Sequence, residues 1–139
     1  MIKKILIIFT LISLHSLLYA EDSYQQDYLQ TMTIIDSQLK AFLNQDAELA
    51  YSYAAPIIQL KFKNSQEFMA MVKNYYEPVF NPKQYFFIDF KYVNGAILHN
   101  LQIISQENKS YFATYSLIKE DNNWKISSCA LYPFKKESI

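Results

Sequence analysis

The chain has 139 residues, which suits one domain, and 51% of them are apolar, so a hydrophobic core is easily built and a disordered chain is excluded. Its basic residues are all lysines and are balanced by 13 acidic residues. This balance argues against binding of nucleic acid or phosphate, which relies on clustered cations and arginine forks. The single glycine, Gly95, excludes a glycine-rich phosphate loop.

Residues 1–20 have the pattern of a secretory signal peptide. Lys3 and Lys4 precede a mostly apolar run that ends at Leu18, and the small residue Ala20 follows. The run is shorter than the roughly 20 apolar residues of a spanning helix, which favours cleavage after Ala20 over an uncleaved anchor. We therefore expect an exported protein, periplasmic or secreted, with no membrane span after cleavage.

Helices are predicted after a flexible segment over residues 21–27. Apolar residues spaced by three and four define the stripe of the first helix: Tyr28, Met32, Ile35, Leu39 and Phe42. Asp46 is the expected N-cap of a second helix, which ends before Pro56.

A third helix is predicted to begin at Asn64, which is spaced from Glu67 as in a capping box. Pro78 should end this helix near Tyr76. The expected apolar side comprises Phe68, Met71, Val72, Tyr75 and Val79.

Four consecutive strands follow the helices. They are predicted at Gln84–Val93, Ala96–Gln106, Ser110–Glu120 and Asn123–Tyr132. Asn94-Gly95 between two alternating runs indicates a tight hairpin. In the first strand, alternation predicts a core face made of Phe86, Ile88, Phe90 and Tyr92, and it turns Asp89 toward the surface.

The spacing of apolar residues in the last strand predicts an irregularity. Trp124, Ile126 and Leu131 cannot share a face under strict alternation. A bulge near Ser127-Ser128 would bring them to one side and would bend the strand.

The order of helices and then strands is that of an α+β fold. We expect one domain over residues 28–134, in which the N-terminal helices pack on the concave face of a strongly curved, cone-shaped antiparallel sheet. Residues 135–139 are expected to be a solvated tail.

Several short motifs carry a resemblance. They are Gln38-Leu39-x-Ala41-Phe42, Asp46 and Ala50-Tyr51, Ala55-Pro56, Phe68-Met69-x-Met71-Val72, Tyr76-x-Pro78-Val79, and Trp124-Lys125-Ile126 with Cys129 close behind. Their order resembles the nuclear-transport-factor-two-like superfamily of cone-shaped α+β proteins and, within it, an uncharacterised bacterial family of domains of unknown function. The resemblance covers residues 35–131 and implies a fold, not an activity, so no catalytic residue is carried over.

His99 is the weak catalytic candidate. It lies between Ile97 and Leu101 on the apolar face of its strand and could act as a general acid or base if that face lines a cavity. A hydrogen-bonded core histidine is favoured, because the sequence supplies no orienting partner. His99 and the distant Cys129 do not make a metal site, and no metal or cofactor is predicted.

The tyrosines offer apolar walls with hydroxyl groups, although filling of the core is the favoured interpretation. The candidates for a ligand pocket are His99, Tyr53, Tyr75, Tyr92, Tyr111, Tyr115 and Gln38. The candidates for an interface between two copies, on the convex face of the sheet, are Tyr85, Phe87, Leu98 and Ile104.

Two hypotheses of function follow. The first is an exported, non-enzymatic binding module for a small apolar ligand or a protein partner, acting as a homodimer. The alternative is a small periplasmic hydrolase or isomerase, with His99 as the base and a tyrosine hydroxyl that stabilises the oxyanion.

Overall fold

A computed structural model describes the backbone of residues 2–135 and the side chains of residues 17–135. These residues divide into two units at the boundary between Gln30 and Thr31. The side chains of residues 2–16, within the predicted signal peptide, lie outside the described residues, as do residues 136–139 of the predicted tail.

The elements follow the predicted order. In the part of the chain that the structure describes, five helices precede four strands: α1 (Ile2–Leu43), α2 (Ala47–Ser52), α3 (Pro56–Gln59), α4 (Ser65–Tyr75), α5 (Glu77–Phe80), β1 (Pro82–Val93), β2 (Ala96–Ser105), β3 (Ser110–Glu120) and β4 (Asn123–Pro133). The prediction of an α+β fold, with helices followed by an antiparallel sheet, is confirmed. Residues 21–27, for which a flexible segment is predicted, are part of α1.

The helix boundaries have local causes that the sequence indicates. The Asp46 carboxylate accepts a hydrogen bond from the backbone N–H of Leu49 at the start of α2. Asn64 does the same for the N–H of Glu67 at the start of α4. Each bond satisfies one of the backbone donors that a helix leaves unpaired at its N-terminus.

The helix α4 stops at Tyr75, close to its predicted end, and Pro78 lies in the next helical turn, α5. The structure differs from the prediction in the exposure of Tyr75. Tyr75 was expected on the apolar side but is 78% exposed. The prediction that Tyr75 faces the core is therefore wrong, because the helical spacing ends at this residue.

The sheet is a meander in the order β1-β2-β3-β4, with antiparallel neighbours throughout. Asn94 and Gly95 form the first hairpin turn and both have positive φ, at 49° and 80°. Two positive values are what a two-residue turn of this hairpin type needs, and Asn-Gly supplies them at low steric cost.

The predicted bulge in β4 is confirmed. Ser116 of β3 pairs with Ser128, while the next residue, Leu117, pairs with Ile126, so Ser127 is the extra residue. Trp124 and Ile126 are buried before the bulge, and Leu131 packs on the same core after it.

The predicted core face of β1 is wrong in its first half. Phe86 and Ile88 are 52% and 50% exposed, while Tyr85 and Phe87 pack against the core. The reason is a second bulge: Phe87 pairs with Leu101 and Asp89 with Asn100, which leaves Ile88 extra. An extra residue reverses which side chains face the core.

Beyond this bulge the predicted alternation holds. Phe90 and Tyr92 lie opposite the buried residues His99 and Ile97, and Phe90 packs on the core, whereas Tyr92 is largely exposed. Asp89 is exposed, as expected, and accepts a hydrogen bond from Asn100 at 2.7 Å.

The core of the second unit lies between the helices and one face of the sheet. Ile35, Leu39 and Phe42 of α1 meet Phe68 and Val72 of α4 there. The sheet contributes Ile97, Leu101, Ile103, Ala113, Tyr115, Leu117, Trp124 and Ile126. No helix among the described residues has both the length and the apolar character required to cross a membrane.

Candidate functional site

A cavity of about 370 Å³ lies between the helices and the β3–β4 half of the sheet. Phe42 of α1, Phe68 and Val72 of α4, and Tyr76 form much of one wall. Tyr115 and Cys129, directly opposite one another on β3 and β4, form part of the sheet wall. The remaining lining residues are Gln38, Ala54, Ile58, Lys61, Phe62, Met71, Val79, Ile126, Ser127 and Ser128.

An isolated bridge next to the β4 bulge joins this end of the sheet to the segment after α2. Ala54, after α2, pairs with Ile126, and two backbone hydrogen bonds of 2.7 and 2.9 Å join residues 53–55 to Ile126. The side-chain amide of Gln38 donates to the carbonyl of Ala50 at 3.0 Å. These bonds fix the lining of the cavity through the backbone, not through side chains alone.

Tyr115 is the buried polar group of the site. Its side chain is 1% exposed, and its hydroxyl makes no hydrogen bond of normal geometry to any described residue. Burial, with a smaller effect from neighbouring Cys129, raises its pKa well above the usual value. The hydroxyl is therefore neutral and able to donate at pH 7.

Cys129 is the polar neighbour of this hydroxyl. Burial raises the pKa of its thiol to about 12, against a smaller lowering by Tyr115. A neutral thiol is a weak nucleophile and forms weak hydrogen bonds, so Cys129 neither satisfies Tyr115 fully nor provides a reactive thiolate.

His99 lies opposite Tyr115 on β2, but it does not line the cavity. Its side chain is fully buried, with Thr31 Oγ1 2.7 Å from Nε2 and the ring centroids of Phe87 and Phe90 at 5.6 and 5.0 Å. Burial lowers its pKa to about 4, against an opposing effect of Asp89, so the imidazole is neutral at pH 7.

The structure separates the other predicted pocket residues. Gln38 and Tyr115 line the cavity together. Tyr53 and Tyr111 are half-buried against the core and do not line the cavity. Tyr75 and Tyr92 are exposed.

The proposed interface residues are likewise divided. Tyr85 and Phe87 point to the core, where the Tyr85 hydroxyl donates to Asp36 at 2.7 Å. Leu98 and Ile104 lie half-buried on the opposite face of the sheet, which we call the outer face.

Sequence reasoning did not find most of the cavity wall. Phe68 and Met71 read as ordinary apolar helix positions, because a wall and a packed core have the same periodicity, and Phe62 reads as part of a short apolar connection. Lys61, the one charged residue among the described residues that line the cavity, gave no signal at all. The described residues contain no group of three potential metal ligands.

The geometry defines the protein as an α+β domain with a mostly apolar cavity between its helices and its sheet. Residues 24–139 match the family described as a domain of unknown function (DUF4864), and the chain belongs to this family.

The fold is also found among solved structures. Bd1075 of Bdellovibrio bacteriovorus matches with a TM-score of 0.54 at 18% sequence identity, over 86% of this chain and 44% of that one. The chain thus spans less than half of that protein, and the likeness concerns the fold alone. No curated protein matches the sequence.

Proposed function

We propose that the chain is an exported, non-enzymatic binding module whose small, mainly apolar ligand occupies the cavity. The observation that carries this proposal is the cavity itself, with its mostly apolar and aromatic lining. Its volume of about 370 Å³ lies within the range of roughly 300–1,000 Å³ that is typical of ligand sites.

The chemistry of the lining supports the same conclusion. Apolar and aromatic side chains dominate it, and a few polar groups are held in fixed positions. Apolar walls supply affinity by removing ligand surface from water, and fixed polar groups set the orientation of the ligand.

The proposal leaves His99 out of the site. A general base must come within hydrogen-bond reach of its substrate. His99 packs against Phe87 and Phe90 and does not line the cavity, so the hypothesis of a hydrolase or isomerase loses its catalytic base.

Fold and export belong to the same proposal. We assign the domain to the nuclear-transport-factor-two-like superfamily, with a curved sheet, on the order of its elements and on the bulges in β1 and β4, which bend strands. The signal-peptide pattern of residues 1–20 supports export to the periplasm or beyond.

We further propose a homodimer formed through the outer face of the sheet. Phe86, Phe112 and Tyr132 are exposed and lie in one row across β1, β3 and β4, and Phe134 packs on Phe112 with ring centroids 5.1 Å apart. Exposed apolar patches of this kind mark interfaces. A second copy offers the same uncharged row, as a two-fold interface requires.

Filling the cavity tests the binding proposal. Met71→Trp should abolish binding of the fluorescent apolar probe N-phenyl-1-naphthylamine, because Met71 lines the cavity and a larger ring would occupy it. Met69→Trp is the matched control: Met69 lies on the same helix and is also half-buried, but it does not line the cavity. Equal binding by both variants in a fluorescence titration would contradict the proposal.

A further inference from the structure

The edge of β4 beside the cavity presents backbone groups that no strand pairs with. Phe134 donates its backbone N–H to Ser110 of β3. Backbone groups point to opposite sides at alternate residues of a strand, so the N–H and C=O groups of Cys129 and Leu131 point away from β3. No backbone group of another described segment bonds to them. Cys129 is only half-buried although its thiol is buried, as expected when the exposed part is backbone.

The chain itself shows that this edge accepts a further extended segment. Directly before the bulge, the N–H of Ile126 donates to the carbonyl of Tyr53 at 2.9 Å, and its carbonyl accepts from the N–H of Ala55 at 2.7 Å. The segment 53–55 then leaves the edge, because α3 begins at Pro56. The edge beyond the bulge is therefore open to another extended chain.

The two edges of the sheet differ in their protection against pairing. Natural edge strands are protected by charged side chains, prolines and bulges. At the other edge, β1 has all three, namely Pro82, a bulge, and the charged residues Asp89 and Lys91. The stretch of β4 from Ser128 to Tyr132 has neither a charge nor a proline. An unprotected edge of this kind is suited to strand addition.

The cavity lies beside this edge, on the face of the sheet that an added strand would share. Cys129 and the exposed Ser128 both line it. Residues directly opposite one another in an antiparallel pair have their side chains on the same face. A peptide residue opposite Cys129 would thus direct its side chain to the core face, where the cavity lies. The volume of about 370 Å³ and the aromatic lining suit a large apolar side chain.

We infer that the β4 edge takes an extended segment of a partner protein as a further antiparallel strand, and that one large apolar side chain of this segment enters the cavity. In this mode of recognition the backbone hydrogen bonds supply affinity and the pocket supplies specificity. The inference rests on the proposed function, because the side chain uses the same cavity, and it extends that function from small molecules to peptides. The small ligand and the peptide exclude one another.

Four short peptides test the anchor and the backbone pairing separately. The first is acetyl-Thr-Val-Trp-Val-Thr-amide, with tryptophan as the anchor and β-branched neighbours that favour a strand. The second has aspartate in place of tryptophan. The third is N-methylated at the tryptophan nitrogen, and its matched control is N-methylated at the valine that follows. Affinity is measured as displacement of N-phenyl-1-naphthylamine from the wild type.

We expect the tryptophan peptide to bind at least about tenfold more tightly than the aspartate peptide, because a carboxylate would lose its hydration in an apolar cavity. N-methylation of the tryptophan should weaken binding about tenfold, because it removes the hydrogen bond to the Cys129 carbonyl. The control methyl group faces solvent and should change the affinity less than about twofold. In direct titrations of the tryptophan peptide, Met71→Trp should abolish binding and Met69→Trp should retain it.

Amide hydrogen exchange, measured by nuclear magnetic resonance, tests the edge in the protein itself. In the free wild type, the N–H groups of Cys129 and Leu131 should exchange fast, whereas those of Ala130 and Tyr132, which point to β3, should exchange slowly. The tryptophan peptide should slow the exchange at Cys129 and Leu131.

Three results would overturn the inference: no binding of the tryptophan peptide, equal affinities of the two N-methylated peptides, or slow exchange at Cys129 and Leu131 in the free protein. The last result would show that a second copy or the chain itself already covers the edge. The naphthylamine titration separates the two proposals. If Met71→Trp blocks that probe but no peptide displaces it from the wild type, the binding module stands and only strand addition fails.

Discussion

At the scale of single residues, the three polar groups that cross the sheet in one row have different surroundings. His99, Tyr115 and Cys129 lie opposite one another on β2, β3 and β4, on the core face. Only Tyr115 and Cys129 face the cavity, while His99 contacts Thr31 under α1. Position within the row therefore decides whether a side chain packs beneath α1 or lines the cavity.

The buried imidazole predicts a pH dependence of stability. Folded His99 has a pKa of about 4, whereas its value in an unfolded chain is near 6.5. Well above pH 6.5 His99 is neutral in both states and does not lower the stability. As the pH falls from 6.5 to 4, only the unfolded state takes up the proton, so the free energy of unfolding should decrease by at most about 1.4 kcal/mol per pH unit.

Urea unfolding curves of the wild type and of His99→Gln over this pH range check the prediction. The variant should show a flatter profile between pH 6.5 and 4. Parallel profiles would show that His99 does not titrate in this way.

Asp36 makes a separate contribution to the pH dependence. Burial alone would raise its pKa, but hydrogen bonds from Lys40 and Tyr85 outweigh this effect and lower the pKa. Protonation of Asp36 therefore lowers the stability at more acidic pH than the range of this experiment.

At the scale of elements, the sequence predicts the features that depend on a few neighbouring residues, such as helix caps, turns and one bulge. Asp46 and Asn64 cap their helices, Asn94-Gly95 turns the first hairpin, and the mismatch between Ile126 and Leu131 reveals the bulge in β4. The bulge in β1 leaves no such trace, because Tyr85 and Phe87 are as apolar as Phe86 and Ile88. When both faces of a strand are apolar, alternation cannot choose between them.

A pair of adjacent phenylalanines tests the orientation of β1. Phe87→Ala should lower the free energy of unfolding by about 2–3 kcal/mol, because Phe87 packs against the core and its loss leaves a void. Phe86→Ala, at a position that is 52% exposed, should change the free energy of the monomer by no more than about 0.5 kcal/mol. Denaturant titration at dilute concentration measures both, and a larger loss for Phe86 would reverse the assignment.

At the scale of the whole molecule, a cavity is a property that no single stripe of residues encodes. The walls come from α1, α4, α5, β3, β4 and the segments around α3, and each reads in the sequence as a normal core-facing element. Whether facing side chains meet or leave a space depends on how far apart the backbone holds them. Gln38 and Tyr115 are among the pocket candidates that the sequence predicts, whereas Lys61 could not be assigned to the site without coordinates.

The outer face of the sheet predicts the state of association. Light scattering at high micromolar concentration should give the mass of a dimer, and Phe112→Asp should give a monomer, since a charge in the aromatic row would have to be buried. Asn100→Asp, on the same face but beside Asp89 instead of the aromatic row, is the control and should remain dimeric. A monomer mass for the wild type would contradict the dimer and leave the cavity unaffected.

Mass spectrometry under native and denaturing conditions, on protein purified from its own host, tests the binding claim most directly. The native mass should exceed the denatured mass by that of a small organic molecule. This excess should persist in Met69→Trp and vanish in Met71→Trp, because only the second substitution fills the cavity. An excess mass that remains in Met71→Trp, or identical masses for the wild type under both conditions, would contradict the account.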